Sequence, residues 1–140
     1  MTQAIAYLSF NGTCADAMRF YEQVLHGKLE VLMSGADSPM AAMIPKEFAH
    51  RILHARLALP GGGVLYAGDA PAHVPYDGIK GVAIAVDFAT VVEAETVFAA
   101  LSAGGQVTMP MTPAFCAKRF GMLTARFGTP WIVNGEPIPV

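Results

Sequence analysis

The chain has 140 residues, of which 54% are hydrophobic and 14% are charged, and its formal net charge is −2. A chain of this length can bury one sizeable core. The apolar excess over an ordinary soluble domain predicts buried strands and an apolar surface suited to self-association. No basic stripe is present, which argues against a nucleic-acid partner.

Targeting and redox signals are also absent from the sequence. No apolar run approaches the roughly 20 residues of a membrane span. Residues 1–10 lack the basic start and small-residue cleavage site of a secretory signal. Cys14 and Cys116 have no metal-ligand spacing, and nothing suggests the export that would favour a disulfide between them. We therefore expect a cytoplasmic protein with two free thiols and no membrane partner.

The first half of the sequence predicts one helix among four strands. The helix has apolar residues at helical spacing, a capping-box-like pair of Thr13 and Asp16 at its start, and Gly27 as a left-handed cap at its end. Apolar runs between turn residues predict the strands. The predicted elements are a strand at 5–10, a helix at 14–25, strands at 28–33, 52–59 and 64–68, and a loop at 34–50 with a helical turn near 45–48.

The second half predicts the same order of elements. These are a strand at 81–87, a helix at 90–103, and strands at 106–109, 121–127 and 131–134, with a loop at 112–119. A short segment also recurs at an offset of 70 residues, because Leu53-His54-Ala55-Arg56-Leu57 resembles Leu123-Thr124-Ala125-Arg126-Phe127. Two copies indicate a duplicated unit, since a solenoid needs three or more.

These elements predict a single domain over residues 1–140. Repeat one spans 1–70, a linker rich in proline and glycine spans 71–79, and repeat two spans 80–140. Each repeat has the order βαβββ, which predicts an α+β fold with a concave mixed sheet and helices on its outer face. We expect the functional site in the cleft between the repeats.

Strand alternation predicts which side chains reach that cleft. His54 and Arg56 lie on one face of their strand, and Thr124 and Arg126 lie on the corresponding face of the matching strand. The residues expected to pack against the first helix are Leu53, Ala55, Leu57 and Leu59. The same alternation sends further side chains to the cleft, among them Tyr7, Tyr66, Ile132 and Asn134. Apolar walls around a few polar groups are typical of small-molecule sites.

Three of these polar residues suggest specific chemistry. His54 is a candidate general base, and the alternative is a histidine that is hydrogen-bonded in the wall or exposed at its mouth. Arg56 and Arg126, at matched positions, would favour a carboxylate or phosphate ligand through paired donors. Alternatively each arginine pairs with an acid such as Glu30 or Asp69, or lies at a dimer surface.

The loop before the last hairpin contributes the remaining candidates. Basic neighbours could lower the pKa of Cys116 and make it a reactive thiolate, although a packing role is favoured. Phe115, Arg119 and Trp131 are expected to line or cover the cleft. The predicted ligand-binding residues are Tyr7, His54, Arg56, Tyr66, Phe115, Cys116, Arg119, Arg126, Trp131 and Asn134, and His54 is also the candidate catalytic residue.

Several motifs resemble one branch of a known superfamily. They are Tyr7-Leu8-Ser9-Phe10-Asn11-Gly12, Phe20-Tyr21, His54-Ala55-Arg56-Leu57, Gly104-Gly105-Gln106-Val107-Thr108-Met109-Pro110, Arg119-Phe120-Gly121, Arg126-Phe127-Gly128 and Trp131-Ile132-Val133-Asn134. Together with the duplicated unit, they resemble the PhnB-like branch of the vicinal oxygen chelate superfamily, which includes glyoxalases, extradiol dioxygenases and bleomycin-resistance proteins. The branch has also carried a demethylubiquinone methyltransferase label. The sequence has no S-adenosylmethionine fingerprint, because no glycine-rich strand-to-helix turn is followed by an acidic residue.

The resemblance implies where a metal would bind. Metal-dependent members use about four His or Glu ligands on the first and last strands of the two halves. Here those places fall near Ile5, Tyr66, Gly81 and Ile132, and none of them is a His, Glu or Asp. Such metals need imidazole or carboxylate donors, so we expect neither a metal nor another cofactor.

Two classes of function follow from this resemblance. The first is a homodimeric, metal-free protein that binds a small ligand, with anions as one candidate class, in the cleft between the repeats. The second is an enzyme of the lyase, isomerase or dioxygenase type, which uses His54 as a base or a metal at an unrecognised site. A structural or regulatory role is the weaker third. The architecture does not decide between them, because this kind of fold supports unrelated chemistries.

Overall fold

The first half of the chain forms one helix and four strands. The computed structural model describes residues 2–139. In chain order the elements are β1 (Tyr7–Phe10), α1 (Cys14–Leu25), β2 (Lys28–Ser34), β3 (Ile52–Ala58) and β4 (Val64–Asp69). Two short 3₁₀ turns, Ala41–Met43 and Lys46–Phe48, lie in the loop between β2 and β3. The second turn is where a helical turn was predicted.

The second half repeats this order. Its elements are β5 (Ile84–Phe88), α2 (Val91–Ser102), β6 (Gln106–Thr112), β7 (Ala117–Thr124) and β8 (Pro130–Pro137). Neither α-helix of the described chain is long and apolar enough to span a membrane.

Each half has its own mixed sheet. The strand orders are β1-β4-β3-β2 and β5-β8-β7-β6, so the first strand of each half pairs in parallel with the last, and the other pairs are antiparallel. The chain divides into two compact units, Met1–Gly78 and Ile79–Val140, and this division falls at the end of the predicted linker. The α+β class and the duplicated βαβββ order are confirmed.

In the first unit, α1 covers one face of the sheet. Alternate residues of β1, β3 and β4 are buried on that face, as a strand with one covered face requires. Burying each large apolar side chain contributes about 1.5–3 kcal/mol. The buried residues of this core include Leu8, Phe10, Ala17, Met18, Tyr21, Ala55, Leu57, Leu65 and Ala67.

In the second unit, α2 covers the sheet in the same way. Gly121 allows a close approach, because an added Cβ there would lie 2.8 Å from the ring of Phe98. The buried residues of this core include Ala94, Val97, Phe98, Leu101, Leu123, Trp131 and Val133.

The carboxylate of Asp69, at the end of β4, accepts hydrogen bonds from three backbone N–H groups in two other segments. One carboxylate oxygen accepts from the backbone N–H of Gly12 at 2.8 Å and of Cys14 at 3.1 Å, and the other accepts from the N–H of Ile52 at 2.8 Å. The carboxylate therefore joins the beginning of α1 and the beginning of β3 to the last strand of the unit. A carboxylate at this end of α1 also interacts favourably with the positive end of the helix dipole.

Asp69 replaces the cap that the sequence predicted for α1. Thr13 is the N-cap residue but its side chain makes no capping hydrogen bond, so the predicted pair of Thr13 and Asp16 is wrong. The left-handed residue at the other end is His26, with φ 56°, rather than Gly27. Gly27 is needed for a different reason, because a Cβ there would lie 2.7 Å from the carbonyl oxygen of Ala58.

The second unit uses both a local cap and a distant acid at the start of α2. The hydroxyl of Thr90 accepts from the N–H of Glu93 at 3.1 Å. Glu136 of β8 accepts from the N–H of Val91 at 3.2 Å and pairs with Lys118 at 2.9 Å. The hydrogen bond from Lys118 and that from the backbone of Val91 lower the pKa of Glu136.

The sequence repeat at offset 70 does not mark equivalent positions. The hairpin ends are Ala58 with Val64 in the first unit and Thr124 with Pro130 in the second, so the structural offset is 66 residues, from 58 to 124. The predicted strand at 121–127 is displaced, because β7 is 117–124 and the segment at 125–129 is its turn. The structural counterpart of Arg56 is therefore Met122 rather than Arg126.

Replacing Asp69 with Ala should leave three backbone N–H groups without their partner. We expect a loss of about 2–4 kcal/mol in the free energy of unfolding, and about half of that for Asp69→Asn, which keeps one acceptor oxygen. Urea unfolding measures both. The exposed Asp37→Ala variant is the control and should stay within about 0.5 kcal/mol of wild type. Equal effects at the two positions would contradict the role of Asp69.

The buried thiol of Cys14 makes the free energy of unfolding depend on pH in the alkaline range. Burial, and then the nearby charge of Asp69, raise the pKa of its thiol from 9.0 to about 12. The folded state keeps this proton where the unfolded state releases it, so the stabilisation is complete below pH 9 and falls as the pH rises towards 12. Cys14 alone should account for a loss of about 1.4 kcal/mol between pH 8 and pH 10. Urea unfolding of Cys14→Ala should show a correspondingly flatter decline, and parallel curves for the two proteins would contradict this.

Candidate functional site

The uncovered face of the first sheet carries a cluster of three rings, Tyr7, His54 and Tyr66, which we call the tyrosine–histidine cluster. Tyr7 and Tyr66 are direct neighbours in the parallel pair of β1 and β4. The imidazole of His54 is stacked on Tyr7 with ring centroids 6.2 Å apart, and meets Tyr66 edge-on at 5.0 Å. The side chains that strand alternation predicted for this face therefore do lie together.

Arg56 extends this cluster along β3 but is already paired. Its Nε donates to Glu30 Oε1 at 2.7 Å, and its Nη1 donates to the hydroxyl of Tyr66 at 2.9 Å. The guanidinium also lies 5.6 Å from the centre of the Tyr66 ring. The hydrogen bond that Arg56 donates to Glu30 is the largest cause that raises the pKa of Arg56. Of the two alternatives that the sequence left open, the structure shows the ion pair with Glu30.

The side chain of Tyr7 packs against Gly68, which leaves room for it because glycine has no side chain. Its hydroxyl donates to the carbonyl oxygen of Leu53 at 3.0 Å. An added Cβ on Gly68 would lie 2.5 Å from that hydroxyl and 3.0 Å from the Leu53 oxygen. Burial, followed by the charges of Cys14 and Asp69, raises the pKa of Tyr7, so its hydroxyl stays a hydrogen-bond donor at neutral pH.

The second unit has a different character at the corresponding positions. The offset of 66 makes Phe120 and Ile132 the counterparts of His54 and Tyr66. Strand pairing makes Ala85 the counterpart of Tyr7, because Ala85 is paired with Ile132 as Tyr7 is paired with Tyr66. Asn134 lies on this face, where its Nδ2 donates to Asp87 at 2.9 Å. The duplicated scaffold therefore carries polar rings on the first unit and mainly apolar side chains on the second.

Three predicted cleft residues are placed elsewhere by the structure. Trp131 is completely buried in the core beneath α2, because the odd-numbered residues of β8 face the helix. Arg119 is on the helix side of β7, with its Nε 3.9 Å from Glu95 of α2. Arg126 is exposed in the turn after β7 and stacks on the ring of Phe127 at 4.9 Å. The predicted placement of these side chains is wrong. Because β7 is 117–124 rather than 121–127, Arg119 lies in the strand and Arg126 lies in the turn after it, and Trp131 is on the face of β8 opposite to Ile132.

The remaining predicted residues lie in the loop between β6 and β7. Phe115 is 82% exposed, and Cys116 is a partly buried free cysteine.

A cavity of about 520 Å³ lies at the end of the first sheet where β3 begins and β4 ends, and no sequence pattern predicted it. The loop between β2 and β3 forms one wall, and the segment after β4 forms another. Leu53 points into this cavity and is 37% exposed, although it was predicted to pack on the helix. The pairing of β2 with β3 shifts register beside it, so that Ile52 is the buried residue instead. The cavity residues are Met40, Met43, Ile44, Pro45, Phe48, Arg51, Leu53, Asp69, Ala70, Pro71, Ala72 and His73.

The side chains at the expected metal positions do not fit the superfamily's metal. The ring of Tyr66 contacts His54, its hydroxyl accepts a hydrogen bond from Arg56, and Ile132 is paired with Ala85. Neither offers an imidazole or carboxylate donor. Over residues 2–139, no three His, Cys, Asp or Glu side chains lie close enough together to hold a metal ion.

Comparisons with known proteins agree with this fold. No protein-family model matches the chain. Protein YjdN from Escherichia coli (strain K12) is 29% identical over 137 residues, which cover 91% of each chain. The crystal structure of protein PA1353 from Pseudomonas aeruginosa is 43% identical with a TM-score of 0.88, covering 96% of this chain and 97% of that one. The PhnB protein from Bacillus cereus is 21% identical with a TM-score of 0.77, covering 95% and 98%.

Solved structures that are less similar in sequence share this fold. The glyoxylase/bleomycin resistance protein/dioxygenase domain from Frankia sp. EAN1pec has a TM-score of 0.64 at 14% identity, covering 96% of this chain and 98% of that one. The chain therefore has the glyoxalase/bleomycin-resistance fold, which it shares with PA1353 and with the Frankia domain. The solved structures similar to it include a PhnB protein, in agreement with the PhnB-like resemblance of the sequence motifs.

Gly68→Ala should disturb the anchor of Tyr7. The new methyl group would collide with the Tyr7 hydroxyl, and we expect a loss of about 1–3 kcal/mol in the free energy of unfolding. In a Tyr7→Phe background the hydroxyl is absent and the same substitution should cost less. Urea unfolding of the four proteins gives the coupling between the two positions. A cost that is the same in both backgrounds would identify the Leu53 carbonyl, rather than Tyr7, as the obstacle.

Proposed function

We propose that this protein binds a small planar molecule against the tyrosine–histidine cluster of the first sheet, without a metal ion. The observation that carries the proposal is the contact of the His54 ring with the rings of both Tyr7 and Tyr66. Tyr7 is 52% exposed, so ring surface is available to a ligand. Aromatic rings favour offset-stacked and edge-to-face partners beyond the area that they bury.

The charges beside the cluster favour a neutral ligand over an anion. Glu30 neutralises Arg56 at 2.7 Å, and the Tyr66 hydroxyl accepts one further N–H of that guanidinium. The second arginine of the predicted anion site, Arg126, lies in a turn and is not its counterpart. A carboxylate would therefore have to compete with Glu30 for the same donors, whereas a neutral ring would not.

Binding is favoured over acid–base catalysis by the surroundings of His54. A catalytic histidine is usually oriented by a hydrogen bond to a third group. Within residues 2–139 the imidazole makes ring contacts with two tyrosines, and no carboxylate orients it. A homodimer, as expected from the apolar composition, remains part of the proposal.

The planar-ligand proposal can be tested with 2-naphthol and its saturated counterpart decahydro-2-naphthol. The aromatic probe should shift the ring resonances of Tyr7, His54 and Tyr66 in NMR spectra, and it should bind more tightly because only it can stack. His54→Ala should weaken 2-naphthol about tenfold, since a stacked pair contributes up to about 1.5 kcal/mol.

The control is His50→Ala, which removes an exposed loop histidine and should leave the affinity unchanged. Because Glu30 neutralises Arg56, 2-naphthoate should bind the cluster no more tightly than 2-naphthol. Equal affinities for the planar and saturated probes, or an unchanged affinity in His54→Ala, would count against the proposal. Metal analysis of protein purified without chelators should find far less than one transition-metal ion per chain.

A further inference from the structure

We propose that the cavity of about 520 Å³ in the first unit is a second ligand site, which binds an apolar monocarboxylate. Its volume lies within the range of small-molecule sites, roughly 300–1,000 Å³. The site is separate from the tyrosine–histidine cluster and does not depend on the function proposed for that cluster. Leu53 lies at the boundary between them, since its carbonyl accepts from Tyr7 and its side chain lines the cavity.

The walls of the cavity suit an apolar body. Nine of its side chains are hydrocarbon or thioether, six from the β2–β3 loop and β3 and three from the segment after β4. Met40 and Met43 are 52% and 78% exposed, so the outer wall presents flexible thioether side chains that adapt to ligand shape. The apolar residues are Met40, Met43, Ile44, Pro45, Phe48, Leu53, Ala70, Pro71 and Ala72.

Arg51 supplies a fixed positive charge in this apolar setting. Its Nη1 donates to the carbonyl oxygen of Ala70 at 2.8 Å, its Nη2 donates to Asn11 Oδ1 at 3.0 Å, and its guanidinium lies 5.6 Å from the centre of the Phe48 ring. These two hydrogen bonds use two of the five N–H groups that a guanidinium carries, so three donors remain. Unlike Arg56, Arg51 has no carboxylate of residues 2–139 within ion-pair distance. A fixed, unneutralised guanidinium favours a carboxylate through charge-assisted hydrogen bonds.

Asp69 also lines the cavity, and its negative charge opposes the positive charge of Arg51. Its carboxylate accepts three backbone N–H groups, from Gly12, Cys14 and Ile52. Two of these belong to the beginning of α1, where the positive end of the helix dipole offsets a negative charge. The oxygens of Asp69 are therefore committed to the backbone, whereas Arg51 keeps free donors. The balance favours an anionic head group over a cationic one.

Octanoate and octanamide test this inference, because they share a chain and differ in charge. Octanoate should bind the wild-type protein about tenfold more tightly than octanamide, since charge-assisted hydrogen bonds are roughly twice as strong as neutral ones. Both probes should shift the methyl resonances of Met40, Met43 and Ile44. Leu53→Trp fills the cavity and should weaken both probes by tenfold or more, whereas Val82→Trp, at an exposed site of the second unit, should not.

The Arg51→Gln variant removes the positive charge but keeps the apolar walls of the cavity. The preference for octanoate should disappear while octanamide still binds, which would show that the walls are intact. If that variant fails to fold, Arg51→Lys keeps the charge and should keep the preference. The inference is overturned if the wild-type protein does not prefer octanoate, if Leu53→Trp binds octanoate normally, or if the shifts fall on the rings of the cluster. His54→Ala should leave octanoate binding unchanged, so this site and the planar-ligand site can fail separately.

Discussion

The first unit depends on one carboxylate, that of Asp69. Its two oxygens receive the backbone N–H groups of Gly12, Cys14 and Ile52, which belong to the start of α1 and the start of β3. Because Asp69 ends β4, a single side chain fixes the helix, the third strand and the last strand at one end of the sheet. The same carboxylate raises the pKa of the buried Cys14 thiol and lines the cavity beside Arg51. Stability and the candidate ligand site are therefore coupled at this residue.

The two units share a topology and differ in chemistry. Each has a parallel pair of first and last strands and a helix that begins near an acidic side chain, Asp69 in one and Glu136 in the other. On the uncovered face, however, His54 corresponds to Phe120 and Tyr66 corresponds to Ile132. After duplication a scaffold needs to keep only its buried positions, so the exposed faces are free to diverge. Polar recognition groups are concentrated on the first unit.

The two arginines of the first unit show how surroundings decide what a charge can do. Arg56 lies next to Glu30 and is neutralised by it, which leaves the neighbouring rings as the main binding feature. Arg51 is tied to a carbonyl and an amide, neither of which carries a charge. An arginine held by neutral acceptors keeps its electrostatic attraction for an incoming anion, and one held by a carboxylate does not. The neighbouring residues in the sequence, His50 and Ile52 for Arg51 and Ala55 and Leu57 for Arg56, do not show this difference.

The sequence by itself determined the class of the fold, because helical spacing in α1 and alternation in β1 and β3 depend only on local periodicity. It also placed Tyr7, His54 and Tyr66 on one face, since alternation fixes a strand's faces once its bounds are right. It misplaced Arg119 and Arg126, because the bounds of β7 are set by pairing with β8 rather than by residues nearby. It also misplaced Trp131, which is buried beneath α2 on the face of β8 opposite to Ile132. Only the tertiary structure decided the role of Asp69 and the existence of the cavity. Both require backbone groups more than 15 residues apart in sequence to meet, and no local pattern records such a meeting.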